Sequence, residues 1–438
     1  MNPRFQFCEL EEHPLRQQLN NEFHARPPLP IIGPVLVTHL VFKGGGSAID
    51  GERENLTRLC QSQVCNSIER SDTHLTVDAG SFRLRWERHT EFSSYTFFRP
   101  LVAGEPLQAE VTAFDAVLPE WLAAIPGKLM VATHVELRSA DETKPESVLA
   151  DLAASGRQMV ASQVADGAAW IFTDFKIDNG FSRFLVIDVA LTRRQAGRTI
   201  QRLVEIETYR MMALLGLPVA KAVGGTLHAA EKRLAEMMDH IGEANSPEDE
   251  RKVLANLTQL AAEVEHGVAR TTFRFGASNA YHRLVMQRIE ELRETRIRGL
   301  PTFEEFMQRR LQPAMNTCVA MSRRLEDLSG RVARNSQLLR TRVDVELERQ
   351  NQEQLSQMNR RARLQLRLQE TVEGLSVVVL TYYGSQLVQY LAKGTKDLHH
   401  LDTDIITAIS IPVIAGLVAW GTHRMRRKLS AEEGEAAQ

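Results

Sequence analysis

GLSVVVLTYYGSQLVQYLA (residues 374–392) and IITAISIPVIAGLVAWG (residues 405–421) hold no charged side chain. A bilayer's hydrocarbon core takes roughly 20 apolar helical residues, with about 17 the lower limit. Both stretches qualify, the second only just. Trp420 stands near the end of the second, where an interfacial indole belongs, and Pro412 and the glycines are tolerated in membrane helices. In the first, Gln386 and Gln389 cost insertion energy unless they find partners. Three apart on one helix face, they are candidate pore-lining or interhelical groups. Buried helices of a soluble domain more often carry about 10–14 apolar residues. The pair therefore reads as transmembrane helix 1 and transmembrane helix 2 of a C-terminal hairpin.

The flanks orient that hairpin. Arg360, Arg361, Arg363 and Arg367 precede it, and His423, Arg424, Arg426, Arg427 and Lys428 follow it. The loop between, KGTKDLHHLDTD (393–404), has two lysines and three aspartates. Lys and Arg hold their flanks in the cytoplasm. The pattern predicts a bacterial inner-membrane protein with both termini inside, the loop outside and a basic cytoplasmic tail over 422–438. His399 and His400, beside Asp397, Asp402 and Asp404, could attract a divalent cation, but a solvated polar loop is the plainer reading. No metal site is expected.

Upstream, residues 314–372 contain no proline and one glycine, Gly330. Met321, Leu325, Leu328, Val332 and Leu339 follow heptad-like steps, Val343 and Leu347 add a stutter, and Leu355, Met358, Ala362 and Leu366 resume the stripe. A single helix of that length would reach roughly 85 Å. Two readings stand: a coiled-coil or oligomer stalk over 314–373, or a long helix folded back on its own subunit. Between about 191 and 313 helical periodicity dominates. Thr192 can cap the first helix there, Gly216 and Pro218 punctuate it, and Ser246-Pro247 opens a later one. Further helices are expected near 223–243, 248–266, 277–298 and 303–312.

Residues 1–190 read differently. PVLVTHLVF (34–42) is strand-like, a helix follows within 52–68, and strand-like runs occupy 80–89, 92–98, 128–138, 157–164, 168–177 and 181–189. A short helix near 118–125 interrupts them. Phe82, Leu84 and Trp86 alternate onto one face. Strands come in neighbouring pairs rather than alternating with helices. The expectation is an α+β domain with a mainly antiparallel sheet, followed by an all-α region with a long helix and the membrane hairpin.

Net charge is -2 over 438 residues, which excludes the strong basic excess of a dedicated nucleic-acid binder. The four cysteines, Cys8, Cys60, Cys65 and Cys318, show no metal or redox spacing, and the N-terminus shows no signal-peptide pattern. The most unusual local text is His13-Pro14-Leu15-Arg16 followed by Glu22-Phe23-His24-Ala25-Arg26-Pro27-Pro28. In an extended chain Glu22, His24 and Arg26 share one side and could form an acid/base or anion-binding cluster. The competing reading is a proline-bounded loop whose polar groups satisfy the backbone. Gly44-Gly45-Gly46-Ser47 lacks the Gly-Lys-Ser/Thr ending of a P-loop and reads as a strand-to-helix turn. No cofactor is implied.

HPLRQQLNNEFHARPP near the start, TYR and MMALLGLP in mid-chain, VEGLSVVVLTYYG, YLAKG and PVIAGLVAWGTHR at the end resemble one bacterial family. Its members are membrane-anchored proteins with a domain of unknown function, and the resemblance spans nearly the whole chain. It implies the anchored topology and supplies no catalytic residues. A looser resemblance in layout is to the CorA-type magnesium transporters; their Gly-Met-Asn signature is replaced here by Tyr383-Gly384-Ser385-Gln386. Three functions follow as expectations. The preferred one is a non-enzymatic anchored protein whose cytoplasmic domain binds a partner or senses a ligand. The others are a CorA-like oligomeric divalent-cation channel and a membrane-tethered enzyme using the Glu22–His24–Arg26 neighbourhood. The expected partners are the lipid bilayer and further copies of the chain, joined through the long helix and the spans.

Overall fold

The computed structural model describes residues 13–24, 27–44, 48–62, 67–70, 73–102, 105–106, 112–115, 117–156, 158–243, 246–394 and 403–435. The N-terminal elements are α1 (Arg16–His24), β1 (Val35–Lys43), α2 (Ala48–Ser62), β2 (Ser67–Arg70), β3 (His74–Asp78), β4 (Arg83–Arg88), β5 (Phe92–Pro100) and α3 (Pro119–Ala123). Then come β6 (Lys128–Ser139), α4 (Pro145–Ser155), β7 (Val160–Val164), β8 (Ala169–Thr173), β9 (Ser182–Asp188), α5 (Arg193–Leu214) and α6 (Gly216–Glu243). The rest is α7 (Pro247–Leu292), the two-residue β10 (Thr295–Arg296), α8 (Phe303–Arg310), α9 (Gln312–Gly394) and α10 (Thr403–Glu435). The chain forms two compact units, one of Met1–Glu243 with Ala255–Ser336 and one of Ala244–Leu254 with Gln337–Gln438.

Among the described residues of the first unit, ten strands make one sheet in the order β10-β7-β8-β9-β6-β1-β5-β4-β3-β2. Every pairing is antiparallel except β6 with β9. The α+β reading with a mainly antiparallel sheet therefore holds. The central strand β1 is buried on both faces over its first seven residues, which is why its sequence is apolar without clean alternation. One face carries Leu36 and Leu40 of β1, Phe82, Leu84, Trp86, Tyr95 and Phe97 beneath Leu56 and Leu59 of α2 and Trp121 of α3. Phe82, Leu84 and Trp86 do share that core. On the opposite face α5 lies across the sheet, with Ile200, Leu203, Val204 and Ile206 buried.

Thr192 starts α5 with a complete capping box: its Oγ1 accepts from Gln195 N at 3.3 Å while Gln195 Oε1 accepts from Thr192 N at 2.9 Å. Replacing Thr192 by alanine should lower unfolding stability by about 1 kcal/mol, with Thr192→Ser near neutral. Urea titration checks this, and equal stability of the alanine variant and the parent refutes the cap as a contributor.

Several expectations change in detail. The helices expected at 248–266 and 277–298 are one helix, α7, because no proline or left-handed residue interrupts 248–292. Gly216 and Pro218 do not leave a gap: α6 begins at Gly216, and Pro218 sits in its first turn, where a missing N–H costs nothing. The stretch 374–392 is the last part of α9, continuous with the expected stalk. The edge strands β2 and β10, the strand β3 beside β2, and the helices α1 and α4 escape the sequence patterns. β2 (Ser-Ile-Glu-Arg) and β10 (Thr-Arg) are too short and polar to show alternation. Cys318 is a buried free thiol and Cys60 is half-buried; Cys8 and Cys65 lie outside the described residues.

In the second unit, Glu250 of α7 pairs with Arg342 of α9 at 2.7 Å. Beyond Gln350 every described residue of α9 through Val372 is exposed. The last part of α9 meets α10: a Cβ added to Gly384 would stand 3.0 Å from Ile414 Cγ2, and Ser385 beside it is buried. Small residues allow this close helix approach.

Candidate functional site

Between α5 and the β1–β5–β4 face of the sheet lies a cleft enclosing about 560 Å³ of empty space, its solvent mouth included. Its floor comes from alternate residues of three adjacent strands: His39 on β1, Ser94, Thr96 and Phe98 on β5, Arg85 and Glu87 on β4. Its roof is the α5 face carrying Gln201, Glu205, Thr208 and Tyr209. Leu29 and Ile31, from the segment after Pro27-Pro28, close one side.

His39 is a polar residue in an otherwise apolar strand, and only 4 % exposed. Both ring nitrogens are held. Thr208 Oγ1 donates its hydrogen to Val204 O at 2.7 Å, so at 3.0 Å from His39 Nε2 it accepts, and Nε2 carries the proton. Nδ1 then accepts from the Thr96 hydroxyl at 2.8 Å. Burial, with the charge of nearby His89 adding to it, pushes the His39 pKa down to about 3. The imidazole is thus neutral at pH 7 and fully engaged: it braces β1, β5 and α5 rather than offering a free base.

The charged lining is similarly occupied. Arg85 donates through Nε and Nη2 to Glu87 Oε1, at 3.0 and 2.6 Å, and through Nη1 to Pro27 O at 2.9 Å. Glu205 receives Gln201 Nε2 at 2.8 Å and is paired with Arg288 of α7. Arg288 continues to Glu291 at 2.9 Å, and Glu291 to Arg202 at 3.1 Å, so a ladder of ions fastens α5 to α7. Tyr209 stacks on Tyr281 at 5.8 Å, and burial raises its phenol pKa far above the usual value. With Glu87, Glu205, Arg85 and His39 engaged, the cleft presents His89, Ser94, Tyr209 and apolar side chains.

A second buried histidine, His134 of β6, lies on the other face of the sheet. Its Nδ1 is 2.9 Å from Thr38 Oγ1 and its ring stacks on Phe181 at 4.0 Å. Burial and then the Arg183 charge lower its pKa to about 4, against the opposing pull of Asp115.

The sequence candidates fall elsewhere. Glu22 and His24 belong to α1, not to an extended segment, so two-residue spacing does not put them on one side. Their side chains, and Arg26 altogether, lie outside the described residues. The chain that follows them does reach the cleft, through Pro27 O, Leu29 and Ile31. Gly45, Gly46 and Ser47, and Asp397, His399, His400 and Asp402, lie outside the described residues. Gln386 and Gln389 are half-buried on α9, and Gln386 reaches Tyr382 Oη at 3.5 Å. Arg360, Arg361, Arg363, Arg367 and Arg424 are exposed, and Arg424 stacks over Trp420 at 5.2 Å. Arg426, Arg427 and Lys428 continue α10, with side chains outside the described residues. Among the described residues no group of three or more His, Cys, Asp or Glu side chains is placed to hold a metal ion. The cleft itself had one legible sign, a histidine inside PVLVTHLVF; its partners Thr96 and Thr208 are 57 and 169 residues away.

Two described stretches, Arg193–Ile241 and Asp404–Arg424, are long and apolar enough to cross a membrane. The first is a core element, since its α5 part buries twelve residues within the first unit. The second buries no such face and keeps Ile409 62 %, Leu417 62 % and Trp420 60 % exposed. The stretch 374–392 falls short of the same apolar measure, diluted by Gln386, Gln389 and three tyrosines.

Fold and cleft together define an α+β domain with a half-enclosed cleft, joined to long helices and an apolar terminal helix. The chain belongs to the family described as "Protein of unknown function (DUF3422)", whose model matches residues 11–429. Among curated proteins none matches the chain. Neither result supports the layout resemblance to the CorA-type transporters.

Proposed function

We propose that the chain is a non-enzymatic, membrane-anchored binding or sensing protein. Residues 374–392 and 405–421 cross the bacterial inner membrane as a hairpin. The α+β domain and both termini face the cytoplasm, and the cleft beneath α5 takes the ligand. The observation that carries the anchor is the outward apolar surface of α10. Its 21 residues Asp404–Arg424 cover about 31 Å, the thickness of a bilayer's hydrocarbon core, and none of its apolar window is buried. Arg360 to Arg367 before the hairpin and Arg424 to Lys428 after it support the cytoplasmic orientation. Gln386 and Gln389, half-buried on the helix that meets α10, act as interhelical polar groups, satisfied within the hairpin rather than facing lipid. Further copies of the chain associate through α9, whose exposed Leu355, Met358 and Leu366 need cover.

Membrane fractionation with reporter fusions tests this reading. The full chain should stay in the membrane pellet after alkaline carbonate washing and need detergent for release. Reporters at both termini should be active only as cytoplasmic fusions, and one inserted at Thr395–Leu401 only as a periplasmic fusion. Release by carbonate, or a periplasmic N-terminus, refutes the proposal.

A further inference from the structure

The hairpin contact fixes which charges stand at which end. Gly384 meets Ile414; Gly374 lies ten residues before the former and Arg424 ten residues after the latter. In antiparallel neighbours both points fall about 15 Å from the contact, on the same side, at the edge of the apolar surface. Arg367 on α9 and Arg424, Arg426, Arg427 and Lys428 on α10 therefore gather at one end, next to Trp420. Glu370 and Glu373 are the acids on α9 at that level, and Glu432, Glu433 and Glu435 lie farther along α10. Arg360, Arg361 and Arg363 extend the basic run, with no acid between Glu353 and Glu370. The opposite end, 393–404, carries two lysines against three aspartates. One end of the hairpin is thus cationic and the other is not.

We propose that this cationic end is a binding surface for anionic phospholipid headgroups. The inference rests on the anchored reading and deepens it by naming the lipid class. Chemistry and position agree on it. Arginines present forks of N–H donors that match phosphate oxygens. Arg424, stacked on the Trp420 ring, is placed at the level where headgroup phosphates lie beside an interfacial indole. Four to eight Lys or Arg next to a span attract acidic lipids, within the reach of a Debye length of about 8 Å. Arg367 stands seven residues from Gly374, about 10 Å along the helix, so its side chain reaches that layer. The acids Glu370 and Glu373 temper the charge of α9, so the surface depends on α10 being beside it.

The test uses the full chain reconstituted in phosphatidylcholine vesicles with or without phosphatidylglycerol. Spin-labelled phosphatidylglycerol should associate with the protein about threefold or more over spin-labelled phosphatidylcholine, and about 1 M NaCl should abolish the preference. Changing Arg367, Arg424, Arg426, Arg427 and Lys428 together to glutamine should remove it, while changing the four arginines to lysine should keep most of it. Equal association of the two lipids with the parent, or a preference untouched by salt, overturns the inference even where the glutamine variant fails to reconstitute. Co-flotation with both vesicle types but no preference refutes this inference alone. Failure to float with either type refutes the anchored reading as well.

Discussion

Alanine at position 197 is expected to destabilise the α+β domain by about 2 kcal/mol or more and to loosen the segment Pro27–Ile32. The sign is not obvious from helix chemistry. In the interior of α5, alanine should improve on glycine by roughly 1 kcal/mol. The added Cβ, however, would stand 1.9 Å from Leu29 O, a backbone atom that cannot rotate away. The segment is also pinned by Ile31 N donating to Arg193 O at 3.0 Å and by Arg85 donating to Pro27 O at 2.9 Å. Either the helix shifts off the sheet or the segment leaves the cleft; both lose buried contacts. Gly276→Ala supplies the control, since nothing stands within 4 Å of its Cβ, and it should be neutral or stabilising. Denaturant titration reads the stability, and protease cleavage near Leu29 reads the release. A Gly197→Ala protein as stable as the Gly276→Ala protein, with no new cleavage, would contradict this account of the cleft wall.

Acid should weaken the domain steeply, and two histidines should account for much of it. His39 and His134 have folded pKa values of about 3 and about 4, against 6.5 for the exposed side chain. Folding keeps both neutral, so the unfolded chain binds more protons below pH 6.5. Their contribution is complete above that pH and is lost as pH falls toward 4 and then 3. Each unit below 6.5 costs about 1.4 kcal/mol per histidine, hence about 4 kcal/mol in total at pH 5. His39→Gln should lower the slope of stability against pH by about 1.4 kcal/mol per unit between 6 and 4, whatever it does to stability at pH 7. The measurement is a set of denaturant titrations across that range on the full chain in detergent. An unchanged slope in the variant would show that His39 is solvated or charged in the fold.

Residues 374–424 show how far one-dimensional reading reaches. Uncharged length and arginine flanks are properties of contiguous text, because a bilayer tests each segment in turn. The same holds for Thr192 with Gln195, whose capping box closes within four residues. Phe82, Leu84 and Trp86 were legible as one face for a similar reason: strand geometry alone aligns them. The Glu22–His24–Arg26 expectation assumed an extended chain, whereas residues 22 and 24 lie in helix α1 and Arg26 lies outside the described residues.

What the sequence determined by itself is therefore the local chemistry: strand pairs before residue 190, helices after it, an apolar terminus, and basic flanks. Only the tertiary structure decided that His39, Thr96 and Thr208 share one hydrogen-bonded brace, that Gly197 admits Leu29, and that α5 roofs a cleft. Only it set Gly384 against Ile414 and so gathered two distant basic runs at one end. The physical reason is range. Periodicity and capping act over a few residues along the chain, whereas a cleft or a helix pair is made by contacts between segments the sequence keeps far apart.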